Sequence, residues 1–329
     1  MKLAGYGELR LLGLLSGRLG VRRRKEVLLA LGDDCAVIAA GSTHMLLTTD
    51  MLVEGVHFER RFIGPRLLGR KALTVNLSDL AAMGGTPRYA LFSVGLPPEL
   101  EVEYFDELVA GLEDIACPVE CDIVGGDTTA APQLIINLAV VGECPRPVLR
   151  SRARQGEAVF LSGPTGLAGA GLEVLRSGQA EEFPRLVKAQ NEPQARMAAG
   201  CALVGSNLIG AMIDVSDGLA RDLGHICRLS GVGAVIEEAR LEVDEDVRRA
   251  AEVLNRDPLD FVLGGGEDYE LLFTSLPSHE PQLAELMAKA GCRLLRVGYL
   301  ERGREVVLQA EDGARRPLTG LGYDHFGGA

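Results

Sequence analysis

The chain has 329 residues, 47% of them hydrophobic, with 34 basic against 46 acidic side chains and a formal net charge of −12. That length allows two domains of ordinary size, each with its own core. The acidic balance argues against sequence-independent binding to nucleic acid or anionic membrane, which need basic patches. Phosphates remain open to such a protein where metal cations sit between the two anions.

The opening "MKLAGYGELRLLGLLSGRLGVRRRKEV" holds an apolar run, but Glu8, Arg10 and Arg18 interrupt it and the basic cluster ending at Lys25 follows it. That order is wrong for a secretory signal. No stretch reaches the ~18 apolar residues of a membrane span. "HMLLTTDML" predicts a strand ending at Asp50. "GRKALTVNLSDLAAMG" carries Leu73, Leu77, Leu80 and Ala81 at helical spacing and stops at Gly84 and Gly85. "YALFSVGLP" reads as a strand, "EYFDELVAGLEDIA" as an amphipathic helix, "DIVGGDTT" as a strand passing into a glycine turn, and "QLIINLAVVGE" as a long buried strand.

The polar interval "CPRPVLRSRARQGE", with two prolines and four arginines, predicts a domain boundary, dividing residues 1–145 from residues 146–329. Beyond it "AVFLSG" predicts a strand, "GLAGAGLEVLRSG" a helix, Gly233–Ile236 a strand, and "GGGEDYELLFTSLP" a glycine turn feeding a strand. "LLRVGYL" and "REVVLQAEDGARRPLT" complete the pattern, with a hairpin at Asp312-Gly313. The expected fold class is α/β (α+β), two mixed-sheet domains, with the strand directions left open. Seven scattered cysteines without a CxxC pair fit reduced thiols in a cytoplasmic protein.

Carboxylates recur where strands and helices end. Asp33 and Asp34 lie in "LGDDCAVI", Asp50 ends "LLTTD", Asp127 follows two glycines, Asp214 and Asp217 lie in "IDVSDG", and Glu267 and Asp268 in "GGGEDYELLF". Asp79 stands inside an apolar helix, where a carboxylate is costly to bury. A lone acid beside a glycine is usually a cap. A set of them that converges needs its repulsion cancelled, and oxygen ligands beside Thr and Ser hydroxyls suit Mg²⁺ better than zinc. Several Mg²⁺ ions would in turn hold a polyphosphate. "SGPTGLAGAG" lacks the ending of a Walker A loop and reads as a helix start. No Ser-His-Asp or Cys-His arrangement is legible, so the chemistry would rest on metal and arginine.

Seven segments, "GDDCAVI", "TTDMLVEGVHF", "KALTVNLSDLAAMGG", "VGGDTT", "IDVSDGLARDLGHI", "GGGEDYELLFT" and "GYDHF", resemble the thiamine-monophosphate kinase family, in the same order and from Gly32 to Phe326. The wider superfamily includes aminoimidazole ribonucleotide synthase, selenophosphate synthetase and the hydrogenase maturation dehydratase. The resemblance implies ATP-dependent phosphorylation of thiamine monophosphate to thiamine diphosphate, the last step in making that cofactor. It implies a homodimer in which N-terminal domains pair their sheets and C-terminal domains flank them. By motif, Asp34, Thr48, Thr49, Asp50, Asp79, Asp127, Asp214 and Asp217 would be Mg²⁺ ligands, and Gly126, Asp127, Arg150 and Ser216 would contact ATP. His57, Glu267 and Tyr323 would hold the thiamine end, with Asp217 and Arg150 carrying the catalysis.

Two departures stand out. Arg152 in "LRSRARQG" occupies a position where the family has glycine, and Gly7-Glu8 matches the family's opening only loosely. Among single residues, His225 reads as structural, Asp222 as a solvent-facing or capping acid, Asp268 as a support for Glu267, and Lys71 as a lysine whose stem lies on apolar surface. The alternatives are another ATP-dependent enzyme of the superfamily, of ligase or dehydratase type, and a non-catalytic Mg-ATP-binding regulator.

Overall fold

The computed structural model describes residues 8–19 and 24–325. Gly7, of the loosely matching Gly7-Glu8 pair, and Phe326, the last residue of the motif set, lie outside them. The first half holds α1 (Glu8–Leu19), β1 (Val27–Leu29), β2 (Ala36–Ala40), β3 (Thr43–Val53), α2 (Pro65–Ala82), β4 (Thr86–Leu96), α3 (Val102–Ala116), β5 (Asp122–Ala130) and β6 (Ile135–Cys144). Its sheet runs β1-β2-β3-β6-β4-β5, and only the β4–β5 pair is parallel. Burial alternates along β6, so Ile136, Leu138 and Val140 face inward and pack with Leu73, Leu77 and Leu80 of α2.

The second half holds β7 (Ala158–Leu161), α4 (Leu167–Arg176), α5 (Pro184–Asn191), α6 (Met197–Ser206), β8 (Ile209–Asp214), α7 (Leu219–Ser230) and β9 (Gly233–Glu237). It continues with α8 (Glu245–Leu254), α9 (Pro258–Gly264), β10 (Leu271–Ser275), α10 (Glu280–Lys289), β11 (Leu295–Glu301), β12 (Val306–Gln309) and β13 (Arg315–Pro317). This sheet runs β13-β12-β9-β11-β7-β10-β8, with only β9 and β12 parallel. Sheets of this mixed kind are what an α+β chain with few long crossovers produces. One apolar cluster joins Leu77 and Leu80 of the first half to Ala199, Leu203 and Met212 of the second, so α2 is shared between the halves. Among the described residues no helix is long and apolar enough to cross a membrane.

Three expectations change. β3 does not end at Asp50 but continues to Val53. α2 starts at Pro65, where proline's fixed φ and missing N–H suit the first turn. "VGGDTT" does not turn: β5 runs straight through it. A Cβ on Gly126 would lie 1.6 Å from the Phe92 carbonyl oxygen, so that glycine serves the close approach of β4. Arg152 stands in a short 3₁₀ turn without a positive φ, which is why a side chain is tolerated there.

The crossing of α2 and α3 rests on another close approach, since a Cβ on Gly111 would lie 2.0 Å from the Arg66 carbonyl oxygen. Gly111→Ala is expected to lower stability in urea unfolding by about 1–3 kcal/mol. Gly205→Ala in α6, where nothing lies within 4 Å of the added Cβ, should be neutral or stabilising by up to about 1 kcal/mol. Equal effects from the two would show that the helix crossing has room to spare.

Candidate active site

Four segments converge at one end of α2. The turn before β2 supplies Asp33 and Asp34, β3 supplies Thr48 and Asp50, α2 supplies Asp79, and the end of β8 supplies Asp214. One oxygen each of Asp34, Asp79 and Asp214 lies within 4.8 Å of the other two. Thr48 Oγ1 donates to Asp79, Ser78 Oγ donates to Asp214 at 2.5 Å, and Asn76 Oδ1 accepts from the Asp50 N–H at 3.0 Å. The Arg150 guanidinium grips both oxygens of Asp34, and its backbone N–H donates to Asp33 at 3.1 Å.

The charges there are out of balance. Burial, then Asp34 and Asp217, lifts the Asp50 carboxyl from 3.8 to about 6. Burial, then Asp34, lifts Asp214 to about 8 against Ser78 and Arg150. Burial, then Asp34, lifts Asp33 to about 7, and burial with Asp50 and Asp214 pushes Asp79 well above its ordinary range. Burial works against the charge of Arg150, but Asp34 and Asp33 outweigh it. Burial and crowding thus favour the protonated form of these four carboxyls.

The turn from Val215 to Gly218 is fixed from below. Asp222 Oδ2 accepts the N–H groups of Ser216, Asp217 and Gly218 at 3.1, 3.1 and 3.0 Å. Those amides are consequently not offered to a phosphate, as they are in a P-loop; the turn presents its side chains instead. The glycine segment before β10 is laid across the same turn, with Glu267 N–H donating to Ser216 O and Tyr269 N–H to Val215 O, both at 2.8 Å. Tyr323 N–H donates to Asp217 O at 3.0 Å, which brings the C-terminal segment over the site. His225 lies beside this turn, with one ring nitrogen within 4.8 Å of oxygens of Asp217 and Asp222. Burial, then Arg150, Arg228 and Arg221, lowers its pKa to about 3, so it is neutral.

A cavity of ≈ 540 Å³ runs from the acids to a ring-lined end. Asp50, Asp79, Asp214, Ser216 and Asp217 line one part, and His57, Glu267, Tyr323 and His325 another. His57 Nδ1 accepts the Val53 N–H at 3.0 Å, which places the proton of the neutral ring on Nε2. Burial, then His325, lowers the His57 pKa. The His325 ring lies 5.0 Å from His57 and 4.8 Å from Tyr323, edge-on to the latter.

Most of the sequence-derived set meets here; three residues do not. Side chains alternate along a strand, so Thr49 points to the opposite sheet face from Thr48 and Asp50, and it donates to Leu138 O at 2.9 Å. Asp127 is exposed on that outer face of edge strand β5, in register with Ser93, Asn137 and Met51. Gly126 precedes it on the same strand. Asp268 does not support Glu267; its carboxylate accepts from Gly166 N–H and Ala168 N–H and caps α4. Lys71 does not lie on the surface but is buried beside Glu267. Asp222 proves a capping acid and is buried rather than solvent-facing. Three residues of the site, Ser78, Gln190 and His325, are not among the sequence-derived candidates. His325 sits inside a quoted motif, but nothing in the sequence alone marks Ser78 or Gln190.

Two domain profiles match this chain: AIR synthase related protein, N-terminal domain, over residues 32–144, and AIR synthase related protein, C-terminal domain, over residues 154–311. The thiamine-monophosphate kinase of Aquifex aeolicus is 37% identical over 277 residues, 83% of this chain and 87% of that one. The thiamine-monophosphate kinase of Escherichia coli K12 is 35% identical over 310 residues, 92% and 93% of the two chains. The solved structure of AaThiL complexed with AMPPCP and TMP is similar at a TM-score of 0.87 and 34% identity, over 99% of both chains. With these relatives and this arrangement of acids and rings, the chain belongs to the thiamine-monophosphate kinase family, built on the two AIR synthase related domains.

Proposed function

We propose that this chain transfers the γ-phosphate of ATP to the phosphate of thiamine monophosphate, giving thiamine diphosphate. The observation that carries this reading is the single cavity with a carboxylate cluster at one part and His57, Glu267 and Tyr323 at another. Relatives that carry the kinase name, and a similar structure holding a nucleotide analogue and TMP, support it.

The donor set fits divalent metal. It is all oxygen, it is crowded, and its proton affinities are raised by burial and mutual repulsion. Asp34, Thr48, Asp50, Asp79, Asp214 and Asp217 would hold Mg²⁺. Bound there, Mg²⁺ would offset charge on the phosphates and on the transferred group. Ser216 and Asp217, held rigid through Asp222, would orient the nucleotide phosphates. Arg150 keeps Asp34 in place and has further N–H groups to give to the transferred phosphoryl. The acceptor is a phosphate monoester whose second pKa is about 6, so its attacking oxygen is mostly ionised at neutral pH. No general base is required, and the work left to the chain is in-line positioning.

Thr49, Gly126 and Asp127 are proposed to act in a homodimer. They share the outer sheet face or its edge with Met51, Tyr89 and Leu91, which are 52%, 51% and 47% exposed. An apolar sheet face of that kind suits burial against a second copy. The division at residues 145 and 146 is likewise our reading, supported by the change of sheet between Cys144 and Ala158. Seven free cysteines agree with a cytoplasmic setting.

Purified protein with Mg-ATP and thiamine monophosphate should form thiamine diphosphate, read by fluorescence after oxidation. Omitting Mg²⁺ should abolish product, and Asp217→Asn should lower kcat/KM by about a hundredfold or more. ATP binding with no phosphorylated product would sink the kinase reading in favour of a regulator.

The raised carboxyls make a second prediction. Because Asp50, Asp33 and Asp214 titrate at about 6, 7 and 8 when folded, against 3.8 ordinarily, the folded protein binds more protons than the unfolded chain across that span. Their contribution to stability is full below about pH 4 and is lost as pH rises through about 6 to 8. Mg²⁺ takes the place of those protons. The rise in Tm on adding Mg²⁺ should therefore be small near pH 5 and largest near pH 8; a rise independent of pH would contradict the proposed ligands.

A further inference from the structure

Lys71 is 2% exposed, in the interior of α2, and the chemistry above makes no use of it. A buried ammonium is tolerated only where its charge and its N–H groups are met. Its Nζ donates to the Gln190 carbonyl oxygen at 2.9 Å and lies 3.1 and 3.2 Å from Glu267 Oε1 and Oε2. Two of the ammonium's three N–H groups are spent on the Gln190 carbonyl and on Glu267 Oε2, and its charge is met by both oxygens of that carboxylate.

Glu267 is held from a second side by Gln190 Nε2, which donates to Oε2. A carboxylate only accepts, so the nitrogen of that amide must face it. Gln190 Oε1 is buried with no partner among the described residues, so the amide is committed to Glu267 and to nothing else in the protein. Next to Gln190, Asn191 Nδ2 donates to Phe62 O at 2.7 Å, tying the end of α5 to the loop before α2.

The backbone explains why a clamp is needed. Glu267 and Tyr269 have φ of 66° and 51°, left-handed values that side-chain-bearing residues rarely adopt. Their N–H bonds to Ser216 and Val215 fix the segment but not the direction of the Glu267 side chain. That direction is set by Lys71 from the first half of the chain and Gln190 from the second.

We propose that Lys71 is a positioning residue for acceptor recognition: with Gln190 it aims the Glu267 carboxylate into the ring end of the cavity. This rests on the reading that the acceptor is thiamine monophosphate and that Glu267 meets its heterocyclic part. The Lys71–Glu267 pair is neutral as a whole, so the carboxylate contributes direction rather than net charge.

The test is a double-mutant cycle on the full chain with Mg-ATP, using Lys71→Met, Glu267→Gln and the pair. Lys71→Met should raise KM for thiamine monophosphate about tenfold while KM for ATP and kcat stay within about threefold. On the Glu267→Gln background the same change should add less than about twofold, because the carboxylate whose direction Lys71 sets is no longer there. A structural role alone would raise both KM values together, or would multiply through both backgrounds, and either result overturns the proposal. If Lys71→Met does not fold, Gln190→Met tests the same clamp with Lys71 still paired, and the same pattern is required of it. An unchanged KM in Glu267→Gln also overturns the proposal. Wild-type protein that makes no thiamine diphosphate would instead sink the kinase reading itself, so the two failures are distinguishable.

Discussion

Mutual repulsion among buried carboxylates is the constraint on which the rest of this structure depends. Asp34, Asp79 and Asp214 offer oxygens within 4.8 Å of one another, and Asp50 is near enough to share the effect. At ~4 Å and an effective dielectric near 20, each such pair costs about 4 kcal/mol. That is comparable to the whole margin of stability of an ordinary domain, about 5–15 kcal/mol. The surrounding residues are chosen accordingly. Arg150 reaches back from the segment between the sheets to grip Asp34, Thr48 and Ser78 donate their hydroxyl protons to Asp79 and Asp214, and the crowding that remains raises the proton affinity of those two carboxyls.

This constraint joins the two halves. The acids come from β2's approach turn, β3 and α2 on one side and from β8 on the other. The apolar core between them runs through α2 as well, with Leu77 and Leu80 packed in the same cluster as Leu203 and Met212. α2 is thus buried on several faces, which explains why it can carry Lys71, Asn76 and Ser78 inward without meeting water and turn Asp79 to the cavity. Each of these polar groups has a named partner, as buried polar groups must.

The turn after β8 shows the same economy. A strand that delivers Asp214 to the cluster passes at once into a turn whose Ser216, Asp217 and Gly218 amides are consumed by Asp222. What remains outward is Ser216 and Asp217. The glycine segment before β10 and the C-terminal segment are both hydrogen-bonded to the carbonyls of that turn, so the phosphate end and the ring end of the cavity share one backbone support.

Much was legible in the linear chain because its signals are local. Hydrophobic period placed β3, α2, β4, α3, β6, β7, α4 and β10, and glycine beside acid marked the turns at Asp34, Asp214 and Glu267. The family resemblance named the acids and the ring-contacting residues, and the fold gathers most of them into one cavity. α5, α6, α8, α9 and α10 are not among the elements expected from the sequence, although the apolar face of α8 repeats at least as regularly as that of α4, a helix of the same length. By itself the sequence determined the fold class, the acid-rich chemistry and the family, since composition, spacing and motif order need no partner across the chain. Only the tertiary structure decided that β5 runs straight through its glycines, that Thr49 and Asp127 face away from the acid cluster, and that Asp268 caps a helix. It alone placed Lys71 against Glu267, 196 residues away. Sheet faces, close backbone approaches and buried ion pairs are set by which elements come together, and contacts at that separation leave no periodic trace in the chain.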